Sequence, residues 1–140
     1  FADTKQVAMD KLVADKLEAF EELLKHKNIS VEKNLSAVSV KIHPALADVL
    51  ISNLIGNAIK HNMQDGKLYV ELKDKTLVVR NTGKPLSVPP EQFFQRFRKA
   101  EPSSESLGLG LAIVKEICNA YGFGVQYTYQ GNMHEVSVFF

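Results

Sequence analysis

The sequence is short of the features that mark specialised protein classes. Its single cysteine, Cys118, cannot form an intrachain disulfide, which excludes a disulfide-stapled secreted fold. No apolar run approaches the roughly 20 residues that span a bilayer, and no signal peptide is visible. Charge of one sign is also missing: 17 Lys and Arg stand against 16 Asp and Glu, for a formal net charge of +1. A dedicated nucleic-acid binder or a polybasic membrane anchor needs a basic surplus that is not there. No internal repeat, low-complexity segment or interdomain linker breaks the chain. What remains is 140 residues, 45% hydrophobic and 24% charged, the size and balance of one domain with one core. The chain opens on Phe1 and not on Met, which suggests a piece of something longer. Residues 1–140 read as one domain, with residues 1–6 as a linker remnant.

The hydrophobic pattern alternates between two periods. A short strand over 5–9 precedes a helix over about 10–27, capped by Asp10 and carrying Leu12, Val13, Leu17, Phe20 and Leu24 at helical spacing. Two short strands over 29–33 and 37–42 follow. A strong helix is expected over 43–62, with Pro44 in its first turn. Strands over 67–73 and 76–80 pair as a hairpin, 81–90 is irregular, and 92–98 forms a short helical turn. A polar, mobile stretch over 100–106 leads into a buried helix over 107–121, closed by Gly122. A second hairpin, 124–130 with 133–140, turns at Gly131-Asn132. The sum is an α+β fold: a two-layer α/β sandwich with a mixed, mostly antiparallel sheet and helices on one face.

Four patterns carry chemistry. On the 43–62 helix, Asn53, Asn57 and Lys60 at i, i+4 and i+7 form one row beside an apolar face. Asparagine is a poor helix former because its side chain competes for the backbone. Two on one row therefore point to a use for their oxygens. A carbonyl-type oxygen suits a hard cation such as Mg²⁺, and Lys60 supplies a point charge for a phosphate. The second pattern is Leu107-Gly108-Leu109-Gly110-Leu111 at the start of a helix. It reads either as backbone opened to an anion at a helix N-terminus or as close helix packing or a hinge. The third is Arg80-Asn81-Thr82-Gly83 at a strand end, which by itself is a plain turn. The fourth is Phe93 to Lys99, where Phe94 and Phe97 anchor a loop and leave Arg96, Arg98 or Lys99 to reach a phosphate.

In this order the four patterns resemble the catalytic ATP-binding domain of bacterial sensor histidine kinases. These belong to the GHKL group, with gyrase-type and heat-shock chaperone ATPases, and share a Bergerat-type fold. Residues 50–61 are similar to the N box of that family and residues 108–115 to its G2 box. The resemblance implies ATP and Mg²⁺ as the bound groups. Asn57 would be the metal ligand and, with Lys60, the catalytic pair. Asn53, Lys60 and His61 would lie along the nucleotide. Asn81 would accept from the adenine amino group at a turn shaped by Gly83. Phe94, Arg96 and Arg98 would belong to the F box, and Gly108, Leu109, Gly110 and Leu111 would wrap the phosphates. Residues 100–106 would be the lid. Hydrolytic members of the group carry a glutamate where this chain has Asn53, and an amide cannot take a proton from water. The implied reaction is therefore phosphoryl transfer to a histidine.

Three departures from the family pattern matter, one of them Ser106 where the family often has the first glycine of the G2 box. Asn81 replaces the usual aspartate, and a neutral acceptor makes a hydrogen bond about half as strong as a charged one. Lys84-Pro85 replaces the small residue usual after Gly83. They motivate an alternative, a degenerate nucleotide module that works through protein interaction. None of His26, His43, His61 and His134 fits the phosphoacceptor pattern. The implied partners are thus a dimerisation domain of the same parent bearing that histidine, and a response-regulator receiver domain. No nucleic-acid partner is implied. The isolated domain would be a monomer and its parent a homodimer, an inner-membrane sensor with this domain in the cytoplasm.

Overall fold

The computed structural model describes residues 3–84 and 102–140, with side chains of the last stretch from Gly110 onward. In chain order the elements are β1 (Lys5–Ala8), α1 (Met9–Ala19), α2 (Glu21–His26), β2 (Ser30–Leu35), β3 (Ser39–Ile42) and α3 (Pro44–Lys60). Then come β4 (Lys67–Lys73), β5 (Thr76–Thr82), α4 (Pro102–Tyr121), β6 (Gly124–Gln130) and β7 (Met133–Phe139). Five strands form the main sheet in the order β2-β4-β5-β7-β6, parallel between β2 and β4 and antiparallel elsewhere. β1 and β3 pair separately as a two-stranded antiparallel sheet.

Strand parity decides which face is covered. Leu68, Val70 and Leu72 of β4, Leu77 and Val79 of β5 and Val138 of β7 are buried. They meet Met9, Val13 and Leu17 of α1, the apolar side of α3 and Val114, Ile117 and Cys118 of α4 in one core. The alternate residues make the outer face, where Arg80 pairs with Glu135 and lies over the Tyr69 ring. Both two-residue turns use left-handed backbone, Asp74-Lys75 between β4 and β5 and Gly131-Asn132 between β6 and β7. The sandwich, the mixed sheet and the two hairpins match the sequence reading.

The helix ends need corrections. Asp10 does not cap α1: the helix starts at Met9 after Ala8, and Asp10 sits inside its first turn, where an acidic side chain suits the helix dipole. The expected 10–27 helix is two, bent at Phe20, whose ring packs toward Gly56 of α3. The bonds Phe20 N–H to Lys16 O and Leu24 N–H to Phe20 O persist across the bend. Asn28, at φ 53°, closes α2 with Ile29 N–H on Leu24 O, and Gly122, at φ 72°, closes α4 with Phe123 N–H on Cys118 O. α4 begins at Pro102 rather than 107, so 102–106 are helix and not a mobile stretch. Proline at the first helical position and Glu105 one turn later favour a start there. The expected turn over 92–98, with Phe94, Arg96 and Arg98, lies outside the described residues.

Candidate functional site

α3 is the axis of the site. Its apolar side, Leu50, Ile51, Leu54, Ile55, Ala58 and Ile59, is buried on the sheet and the neighbouring helices. The opposite row carries Asn53, Asn57 and Lys60 into a cleft of about 500 Å³. Gly110 and Ile113 of α4 form one wall of this cleft, and Phe20, Leu23 and Lys27 form another. The three residues predicted to share a row therefore share a cavity. His43 caps the start of α3, with its Nδ1 accepting from Ala45 N–H at 3.1 Å.

Each amide on the row is in a different state. Asn53 donates its Nδ2 to Val49 O at 2.7 Å, which leaves its oxygen as the other polar atom. The Asn57 Nδ2 is buried without a hydrogen-bond partner among the described residues. α4 passes directly over it. A Cβ on Gly110 would run into the Asn57 carboxamide, 3.0 Å from Oδ1 and closer still to Nδ2. Gly108 and Gly110 stand inside α4, not ahead of it. For Gly110 the close-packing alternative is what the structure displays. Leu111 is buried, and inside α4 its backbone N–H belongs to the helix, so neither its side chain nor its amide is offered to a ligand. Gly108 and Leu109 belong to the same helix, and their surroundings lie outside the described side chains.

The C-terminal end of α3 is tied down by cations and amides. Lys27 Nζ donates to Ile59 O at 2.9 Å and Lys60 O at 2.8 Å, placing a positive charge on the last carbonyls and on the negative end of the dipole. His61 follows as the C-cap, and its Nε2 is buried without a partner among the described residues. Burial first, then the charges of Lys60 and Lys27, push its pKa down to about 4. At neutral pH the ring is uncharged.

The other half of the site is the end of β5. Asn81 is buried and donates Nδ2 to Thr82 O at 2.9 Å. A carbonyl can only accept, so this bond fixes the amide and leaves its oxygen as the acceptor. Thr82 Oγ1 donates to Asn62 Oδ1 and accepts from Lys67 N–H at 3.0 Å. Asn62 in turn donates to Lys67 O at 2.9 Å and accepts from Met63 N–H at 2.8 Å, joining α3 to β4 and β5. Gly83 follows where a Cβ would come within 2.7 Å of the His134 ring and 3.0 Å of His61 O. Asn81 and Gly83 therefore lie beside His61, past the end of the α3 row.

Asn62, Lys27 and His134 were not legible as site residues. Lys27 finds its partners far along the chain, and Asn62 joins two near neighbours to Thr82, 20 residues on. His134 did leave a signal, because it shares the inward parity of β7 with Val136 and Val138, where a polar residue needs a reason. An anionic purine nucleotide of the expected kind suits this set of groups. Two buried polar atoms await partners, two lysines stand nearby, and an amide oxygen ends the sheet.

The whole chain resembles proteins of one kind. Residues 43–139 match the family described as histidine kinase-, DNA gyrase B-, and HSP90-like ATPase. The sensor histidine protein kinase HK06 of Streptococcus pneumoniae is 32% identical over 115 residues, 79% of this chain and 26% of that protein. The signal transduction histidine-protein kinase AfsQ2 of Streptomyces coelicolor is 38% identical over 92 residues, 61% of this chain and 17% of that protein. The chain thus spans about a quarter or less of these relatives. In fold it is similar to the nucleotide-free catalytic domain of histidine kinase ThkA, with a TM-score of 0.82 at 21% identity over 96% of this chain and 95% of that one. It is also similar to the cytoplasmic segment of histidine kinase QseC, with a TM-score of 0.76 at 21% identity over 100% of this chain and 79% of that one. With its amide row, its glycine-spaced α4 and its β5 turn in the order of the family's boxes, the chain belongs to the histidine kinase-, DNA gyrase B-, and HSP90-like ATPase family.

Proposed function

We propose that this chain is the ATP-binding catalytic domain of a sensor histidine kinase of a two-component system. It holds Mg²⁺-ATP and passes the γ-phosphoryl group to an imidazole nitrogen of a histidine on a dimerisation domain of the same parent. A response-regulator receiver domain then takes the phosphoryl group. The observation that carries this reading is Asn57, which lines the cleft with its Nδ2 buried and without a partner among the described residues while α4 packs over it at Gly110. A buried amide left in that state costs about 1–3 kcal/mol, and a ligand that completes it accounts for its presence.

The chain's own residues divide the work. Asn57 Oδ1 is the carbonyl-type oxygen that a hard cation accepts. Among the described residues no three His, Cys, Asp or Glu side chains gather to offer a competing metal site. Bound Mg²⁺ would supply neutralisation of charge on the phosphate oxygens. Lys60 places an ammonium on the same row for the terminal phosphate. Asn53 offers an amide where hydrolysis would need a base, so water is not activated and the phosphoryl group goes to the histidine. Asn81 turns its oxygen to the adenine amino group because Thr82 holds its nitrogen. His61 stays neutral and keeps Nε2 for the nucleotide. Arg96 or Arg98 as a γ-phosphate partner, Phe94 as the anchor of their segment, and backbone contacts from Gly108 and Leu109 rest on the sequence alone. The parent is a membrane-anchored homodimer with this domain on the cytoplasmic side. No helix among the described residues is itself long and apolar enough to cross a membrane.

The test combines this chain, the parent's histidine-bearing domain and ATP labelled at the γ-phosphate. Label is expected on the histidine, and Asn57→Ala should abolish it. Labelling that survives Asn57→Ala would overturn the metal assignment. An absence of binding at millimolar Mg²⁺-ATP would overturn the nucleotide reading and leave the interaction-module alternative.

A further inference from the structure

A row of polar side chains crosses the inner face of the sheet at the end where the β5 turn leaves it. The register sets Asn81 of β5 opposite His134 of β7, and His134 opposite Tyr129 of β6. His134 is buried, 6% exposed, and both of its ring nitrogens are engaged. Nε2 lies 2.8 Å from Lys84 O and Nδ1 lies 2.7 Å from the Tyr127 hydroxyl. These partners fix the proton. The Lys84 carbonyl can only accept, so Nε2 carries the hydrogen, and Nδ1 accepts from the Tyr127 O–H. The Tyr129 ring, with its centroid 4.5 Å away, closes the other side of the imidazole. Gly83 has no room for a Cβ because the same ring fills that space.

Lys84 is the residue at which the chain leaves the sheet after Gly83. Its carbonyl is held by a side chain that comes 50 residues later and is itself bonded at Nδ1 and packed against the tilted Tyr129 ring. The end of β5 that carries the Asn81 oxygen is thus clamped just past its last residue. A departure from the family's usual aspartate and small residues falls at this same turn, with Asn81 and Lys84-Pro85. A neutral acceptor gains less per hydrogen bond than a carboxylate, so the fixed placement of Asn81 carries more of the recognition.

We propose that His134 is a positioning residue for the nucleotide base: its Nε2–H, oriented by Tyr127, holds the Lys84 carbonyl and thereby the end of β5, from Asn81 to Gly83, against the purine. This rests on the nucleotide reading and deepens it. His134 does not touch the phosphate half, where Asn57 and Lys60 lie, so the two halves separate in binding.

The test is calorimetric titration of the 140-residue chain with two ligands, Mg²⁺-ATP and Mg²⁺-tripolyphosphate. His134→Phe keeps a ring and loses both hydrogen bonds. It should weaken ATP about tenfold and leave tripolyphosphate within about twofold. His134→Gln, whose amide can donate to Lys84 O and accept from Tyr127, should recover most of the ATP affinity. Unchanged ATP binding by His134→Phe, or an equal loss of both ligands, would overturn the positioning role. Wild-type chain that binds neither ligand would overturn the nucleotide reading itself, and the positioning role with it. If His134→Phe does not fold, nitrogen-15 NMR of the wild-type imidazole decides. The Nε2–H tautomer is expected, and the Nδ1–H tautomer would overturn the proposal.

Discussion

At the end of β5 the polar side chains close on one another, whereas along α3 they stop short. Asn62 bonds Lys67, Met63 and Thr82, and His134 bonds Tyr127 and Lys84, so the wall beside Asn81 is complete without a ligand. On α3 the Asn57 Nδ2 is buried with no partner among the described residues, and His61 Nε2 at the helix end is in the same condition. Both regions bury asparagines. In one the amide is a structural joint, and in the other it is kept waiting. The contrast teaches that burial of a polar residue does not by itself mark a site. What marks it is a buried polar atom with an unmet hydrogen bond on a side chain that lines an open cleft.

The comparison breaks most visibly if the two asparagines are removed in turn. Asn62→Ala removes three part-buried hydrogen bonds at the joint of α3, β4 and β5, and should destabilise the fold by about 1–3 kcal/mol in urea denaturation. Asn57→Ala removes an unpaired donor and puts a better helix former in α3. It should leave the fold as stable or stabilise it by about 1 kcal/mol. A loss of stability at Asn57 comparable to that at Asn62 would mean that the two amides do the same job.

Gly110 sharpens the contrast through its coupling to Asn57. Glycine to alanine inside an exposed helix ordinarily gains about 1 kcal/mol. In the wild-type background the new Cβ meets the Asn57 carboxamide, so Gly110→Ala should give no gain and should weaken Mg²⁺-ATP binding. In the Asn57→Ala background the obstacle is gone, and the same change should recover the gain of about 1 kcal/mol. Additive effects in the double-mutant cycle would show that the two residues do not share the gap.

The smallest effect is that of pH. Burial holds both His61 and His134 below the ordinary histidine value, His61 at about 4. Below a pH of about 6.5 the unfolded chain takes up protons that the folded chain refuses. Stability is therefore full above that value and declines as pH falls toward about 4. His61→Gln should flatten this decline in thermal melts run across that range. A slope unchanged by His61→Gln would assign the decline to other groups.

Much of the architecture was legible because periodicity is local. The 3.6-residue spacing put Asn53, Asn57 and Lys60 on one row, and alternation placed the strands of both hairpins. Helix starts were less legible, because competing signals stood a few residues apart: Asp10 looked like a cap but Met9 is drawn into the core, and Pro102 starts α4 ahead of its glycines. Close packing was one of the readings open for Gly110, but its partner could not be read. It depends on α4 crossing α3 at Asn57, a contact between residues 53 positions apart. Lys27 was missed for the same reason, as was the tie of Asn62 to Thr82, and only the parity of His134 on β7 offered a clue to its place.

The central claim is that Mg²⁺-ATP binds in the cleft along Asn53, Asn57 and Lys60 and completes the hydrogen bonding of the α3 row. Calorimetric titration of the wild-type chain and of Asn57→Ala with Mg²⁺-ATP, each checked for folding by its thermal melt, tests it directly. The account predicts binding by the wild type and a loss of about a hundredfold in Asn57→Ala at equal or higher thermal stability. A folded Asn57→Ala variant that binds Mg²⁺-ATP as well as the wild type would contradict it.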